Sequence, residues 1–245
     1  MTNKYMYFIA NCKMFGGLGT LNSLKKVIKF LKTFKKSKKI KIIYCPPNTL
    51  INLMSEKFLK TRIEVGAQNC HESINYAPLT GSINPQMLKS VGAKYVIIGH
   101  SENRRSGETD KLINLKVKAA VKVGLKVIFC IGETFGQKRK KITKQILSKQ
   151  IKLGLNKVHK KKNIIIAYEP VWSIGTGIIP KSDDLFKTID FIKNKVKNNK
   201  VLYGGSVNPK NIRDLKSIRN IDGFLIGGAS QEAKKFIDII KKTYN

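Results

Sequence analysis

One pattern recurs eight times along the chain and constrains its fold more than any other feature. A short β-branched or apolar run is followed by a longer, Lys-rich stretch of helical period. The runs are Tyr5–Asn11, Lys41–Cys45, Ile63–Gln68, Tyr95–Gly99, Lys126–Ile131, Asn163–Tyr168, Val201–Gly204 and Gly223–Ile226. Over 245 residues they recur about every 31 positions, the length of one strand–helix unit. The intervening stretches carry apolar stripes. Leu185, Ile189, Ile192 and Val196 share one helical face, as do Leu21, Leu24, Ile28 and Leu31. Ser182 is a candidate cap for the later helix, with Asp183 and Asp184 suited to its first turn.

Eight such units predict an α/β fold, a closed parallel (β/α)8 barrel. An open doubly wound sheet would favour a G-x-G-x-x-G turn after the first strand, and Gly16, Gly17 and Gly19 do not follow that spacing. With no linker or compositional break, residues 1–245 are expected to form a single domain.

The formal net charge is +33. A nucleic-acid partner is the usual reading of such an excess, but only Arg62, Arg104, Arg105, Arg139, Arg213 and Arg219 are arginines among 48 basic residues. Arg is the residue suited to bidentate phosphate and base contacts. The lysines are spread along the whole chain, as a coding bias toward Lys, Ile and Asn would produce. We read them as a solvated outer ring and expect no specific nucleic-acid partner. Apolar runs such as Ile164–Tyr168 are too short to span a bilayer, so no membrane partner is expected either. The run Tyr5–Ala10 ends at Asn11-Cys12-Lys13 and is not a secretory signal. Cys12, Cys45, Cys70 and Cys130 lack metal or disulfide spacing, which fits reduced thiols in a cytoplasmic protein.

In a barrel of this kind chemistry sits where the strands end. Strand one ends in Asn11-Cys12-Lys13, whose alternation would aim the amide and the ammonium to one face. Strand four runs into His100, either a structural imidazole or a functional one. His71 and His159 read as surface residues. Strand six ends at Glu169, a carboxylate after apolar residues that must be paired or functional. Pro170, Val171, Trp172, Ser173, Ile174, Gly175, Thr176 and Gly177 follow, a composition suited to a lid closing about hinges or to a packed Ω-loop. Gly204-Gly205-Ser206 and Gly227-Gly228 end strands seven and eight. They are tight turns or an anion cradle of backbone amides, aided by a helix expected to begin near Ser230. One carboxylate, one imidazole, one ammonium and a phosphate cradle, with no second catalytic carboxylate of equal quality at a strand end, suit proton abstraction beside a carbonyl in a small phosphate ester.

The chain resembles the triosephosphate isomerase family. The matching stretches are N-C-K at 11–13, G-A-Q-N at 66–69, G-H-S-E at 99–102, C-I-G-E at 130–133, A-Y-E-P-V-W-S-I-G-T-G at 167–177, Y-G-G-S-V at 203–207 and D-G-F-L-I-G-G-A-S at 222–230. They run in order from the first strand to the last. The resemblance implies interconversion of dihydroxyacetone phosphate and D-glyceraldehyde 3-phosphate, in glycolysis and gluconeogenesis, with no cofactor and no metal. It implies Glu169 as general base, His100 as electrophile and Lys13 as electrostatic stabiliser, with Asn11 donating nearby and Glu102 holding the site. Asn11, Lys13, Gly175, Ser206, Gly227 and Gly228 would bind substrate and its phosphate, and residues 170–177 would be the lid. It also implies a homodimer through the loop around Thr80 and Gly81.

Four departures from the family pattern stand out. Cys12 replaces the usual Trp, which thins local packing. The segment Asn103–Glu108 is one residue shorter than usual, which leaves open which Arg takes which structural role. Ser82 replaces the usual Glu of the dimer loop, removing an intersubunit ion pair. The lid's far end, Ile178-Ile179-Pro180, is shorter than usual. Two rival readings bear on the same residues. A Schiff-base aldolase needs a buried Lys within the barrel; strand six has none, and Lys13 is the candidate elsewhere. A dedicated nucleic-acid binder would show basic motifs interleaved with aromatic residues.

Overall fold

The protein is described by a computed structural model covering residues 5–244; residues 1–4 and 245, the ends of the expected single domain, lie outside the described residues. Eight parallel strands close on themselves: β1 (Met6–Asn11), β2 (Ile40–Cys45), β3 (Ile63–Ala67), β4 (Tyr95–Ile98), β5 (Lys126–Ile131), β6 (Ile164–Tyr168), β7 (Lys200–Tyr203) and β8 (Gly223–Ile226). Each pairs with its sequence neighbour, and β8 returns to β1 through Tyr7–Gly223 and Ala10–Ile226. The fold is the closed (β/α)8 TIM barrel that the eightfold pattern predicts.

Two cores follow from strand alternation. Ile9, Ile43, Cys45, Tyr95, Ile97, Ile128, Cys130, Ile165, Ala167, Leu202 and Leu225 fill the barrel interior. Their neighbours Phe8, Ala10, Ile42, Val96, Val127, Ile166 and Val201 point outward and pack under the helices. On the helical side Leu185, Ile189 and Ile192 are buried, as the stripe requires. Ser182 does not cap that helix. It is the first helical residue, Lys181 holds the cap position, and no side-chain cap bond forms. The Lys-rich faces point to solvent. His159 is exposed and His71 is half-buried, while the four cysteine thiols are buried and unpaired. No helix among the described residues is long and apolar enough to cross a membrane.

Candidate active site

The interior phase of each strand decides what stands at the mouth. On β6 the inward series Ile165, Ala167 continues to Glu169, and on β1 Ile9 continues to Asn11. The same phase after β5, β7 and β8 lands on Gly132, Gly204 and Gly227. The uppermost layer of the interior is therefore a carboxylate and an amide among bare glycines. Gly132 and Gly204 are sterically required. A Cβ at Gly132 would collide with the Glu169 carbonyl, and one at Gly204 would lie 2.8 Å from Glu169 Cγ. Motif reading alone leaves Gly132 without a role and gives Gly204 only that of a tight turn or an anion cradle. The signal was present as strand phase.

Lys13 reaches the mouth differently from the expected alternation. β1 ends at Asn11, and Lys13 sits in left-handed backbone with φ 52°. Its amide donates to Asn11 Oδ1 (3.1 Å) and its carbonyl accepts from Gln68 Nε2 (2.8 Å). These bonds hold a conformation that costs a non-glycine residue about 1 kcal/mol or more. The ammonium meets Glu102 Oε1 at 2.6 Å. Burial alone would raise the Glu102 carboxyl, but Lys13 and His100 outweigh it and hold it below the ordinary range.

His100 leaves β4 through Gly99, whose φ of 75° turns the chain. The Glu102 amide donates to His100 Nδ1 (3.2 Å), so the hydrogen-bond pattern assigns the ring proton to Nε2. That nitrogen lies 3.3 Å from Glu169 Oε1. Glu169 is buried, and burial pushes its carboxyl above the ordinary value. His100, the Cys130 thiol, the Ser101 amide and Lys13 only partly offset this.

Of the two arginines left open by the short segment after His100, Arg104 turns inward. It donates to the Gly99 carbonyl (2.8 Å), to the Cys130 carbonyl (3.3 Å) and to Asp110 (2.7 Å), tying the end of β4 to β5. Arg105 stays exposed.

A second buried carboxylate, Glu133, also stands at a strand end. It follows β5, is buried, and accepts from Tyr168 Oη (3.1 Å) and Trp172 Nε1 (2.9 Å). Its carbonyl accepts from the Val171 amide (3.0 Å). Burial raises its carboxyl, partly offset by Trp172 and Tyr168. Glu133 does not line the cavity that Glu169 faces; it anchors the near end of the segment 170–177. Lys138 lies 4.0 Å over the Trp172 ring and adds a cation–π contact.

Eight of the nine expected site residues line one cavity of about 460 Å³: Asn11, Lys13, His100, Glu169, Gly175, Ser206, Gly227 and Gly228. Glu102 stands behind it, joined to Lys13 and His100. Lys210 and Lys235, which the sequence did not single out, also line it. A Cβ at Gly227 would meet Lys13 Cε at 3.4 Å, so the Lys13 side chain passes beside the turn that ends β8. The helix expected near Ser230 begins instead at Ala233, and Gly228–Ser230 forms a 3-10 turn before it. Among the described residues no group of three His, Cys, Asp or Glu side chains could hold a metal ion.

Fold and site together define a class: a parallel barrel enzyme with a buried carboxylate and an imidazole facing a cationic, glycine-floored pocket. The triosephosphate isomerase family model matches residues 6–243. A triosephosphate isomerase of Thermodesulfovibrio yellowstonii is 42% identical over 205 residues, 80% of this chain and 83% of that protein. One from Dictyoglomus thermophilum is 38% identical over 244 residues, 95% of this chain and 97% of that protein. The crystal structure of the Bartonella henselae triosephosphate isomerase superposes with a TM-score of 0.88 at 34% identity, covering 98% of this chain and 99% of that one. The chain belongs to the triosephosphate isomerase family, and it is an isomerase.

Proposed function

We propose that this protein interconverts dihydroxyacetone phosphate and D-glyceraldehyde 3-phosphate in glycolysis and gluconeogenesis, by proton transfer through an enediolate. Glu169 takes the proton from one carbon and returns it to the neighbouring one. As it does so, negative charge develops on the substrate carbonyl oxygen. His100 Nε2–H donates to that oxygen and Lys13 supplies positive charge beside it, which lowers the barrier where charge appears. Asn11 donates nearby, and Glu102 orients both Lys13 and His100. The backbone amides of Gly175, Ser206, Gly227 and Gly228 hold the phosphate. The lid, residues 170–177, excludes water from the enediolate. No step calls for a cofactor or metal.

The observation that carries this reading is the 3.3 Å approach of His100 Nε2 to Glu169 Oε1 inside a cavity that Lys13 also lines. A coupled assay with each triose phosphate tests it. Glu169→Gln is expected to lose at least the roughly 10²–10⁴-fold that positioned proton transfer supplies, with the fold intact by circular dichroism. Full activity in that variant would overturn the assignment.

The same reading takes residues 1–245 as one domain working in the cytoplasm, with no nucleic-acid or membrane partner. It takes the protein as a homodimer through the loop around Thr80 and Gly81. That loop is exposed and carries Tyr76 and Leu79. Met14, Phe15 and Leu18 are also exposed, on the segment after β1. Bare apolar side chains of this size favour self-association.

A further inference from the structure

Ser173 lies inside the lid and is fully buried. Its hydroxyl donates to the Ile178 carbonyl (2.5 Å), at the far end of the lid. It also meets Tyr203 Oη at 2.9 Å and accepts from the Ser206 amide at 3.3 Å, both at the end of β7. A hydroxyl has one proton to give and two lone pairs to share. With Tyr203 donating, all three are in use. One side-chain oxygen therefore joins both ends of the lid to the turn that ends β7. Gly205 passes so close that a Cβ there would lie 2.6 Å from Ser173 Oγ.

The Ser206 amide is one of the donors assigned above to the substrate phosphate, and the inference rests on that assignment. We propose that Ser173 is a positioning residue whose hydroxyl holds the lid in the described conformation by taking the Ser206 amide, so that phosphate must displace it to bind. The lid hydroxyl and a phosphate oxygen compete for one N–H. Phosphate capture then frees the lid segment from the β7 turn, and release of phosphate lets the contact re-form. Binding to a state that must first be released is weakened by the fraction of molecules in which it is released.

The test is competitive inhibition of the triose phosphate reaction by inorganic phosphate, measured on the wild type and on Ser173→Ala. One hydrogen bond is worth roughly a 2- to 10-fold change in an equilibrium constant. Ser173→Ala is expected to lower the phosphate Ki by that factor, because the amide no longer has a competing acceptor. Loss of a merely structural contact would loosen the site and raise Ki, so the direction separates the two. Trp172, the only tryptophan, gives a second reading. The midpoint of its fluorescence change on phosphate titration should move to lower phosphate by the same factor. Equal or weaker phosphate binding in a folded Ser173→Ala variant overturns the latch. Failure of phosphate to compete in the wild type overturns the phosphate-site reading instead.

Discussion

At the scale of single residues, the two glutamates that end β6 and β5 show how placement separates similar groups. Glu169 opens to the cavity and faces one imidazole; Glu133 is enclosed by Tyr168 and Trp172. Both are pushed up by burial. For Glu169 this has a pH consequence. As the proposed base, Glu169 works only when ionised, so kcat/KM is expected to fall as pH drops through its pKa. Because burial raises that pKa, the acid limb should lie above the ordinary carboxyl value of 4.5. The same shift makes the folded chain bind this proton more tightly than the unfolded one, so its contribution to stability declines as pH rises through that window. A pH–rate profile with its acid limb at or below 4.5 would contradict both statements. Gly204 belongs to the same scale. Its replacement by Ala puts a Cβ 2.8 Å from Glu169 Cγ and must displace that side chain. Gly204→Ala is expected to lower kcat by roughly 10- to 100-fold with an unchanged circular dichroism spectrum, since misplacement near 1 Å can cost that much. Wild-type kcat would show that the base does not depend on this approach.

Among the elements, the ends of helices and turns carry the mark of a Lys-rich composition. Lys141, Lys157, Lys160 and Lys197 all have positive φ, between 51° and 58°. Lys197 ends the helix Ser182–Val196 with ψ −95°, a conformation suited to glycine. Unlike Lys13, whose backbone is held by Asn11 and Gln68, it serves no assigned role. Lys197→Gly is expected to stabilise the fold by roughly 1 kcal/mol, raising Tm by about 2–4 °C. Thermal unfolding checks this, and a lowered Tm would mean the strain is not there. The elements also show what was legible in the sequence. Lys126–Ile131 and Gly223–Ile226 match β5 and β8 end for end, and the other strands differ at their ends by one residue. Alternation and flanking turns are local, so they survive without tertiary information. The cap at Ser182 and the helix start near Ser230 were misplaced because helix ends depend on where the preceding loop is held. The route of Lys13 was misread because strand alternation was carried past the last strand residue.

For the whole molecule, closure of the sheet sets β1 beside β8, so Asn11 and Lys13 share a cavity with Gly227 and Gly228. The exposed loop around Thr80 and Gly81, with the bare side chains Tyr76, Leu79, Met14 and Phe15, predicts association between copies. Sedimentation at micromolar concentration should find twice the 27.6 kDa chain mass, falling toward the monomer on dilution because Ser82 supplies no ion pair. A single species of monomer mass at all concentrations would remove the dimer.

The sequence by itself determined the eight strands, the order of the chemical groups at their ends and the family, because strand period, turn chemistry and motif spacing are properties of neighbouring residues. It did not determine that Arg104 rather than Arg105 turns inward, that Glu133 anchors Trp172, or that one lid hydroxyl occupies the Ser206 amide. Those contacts join residues 26 to 39 positions apart. They exist only once the barrel has closed and burial has charged a desolvation cost to every polar group without a partner.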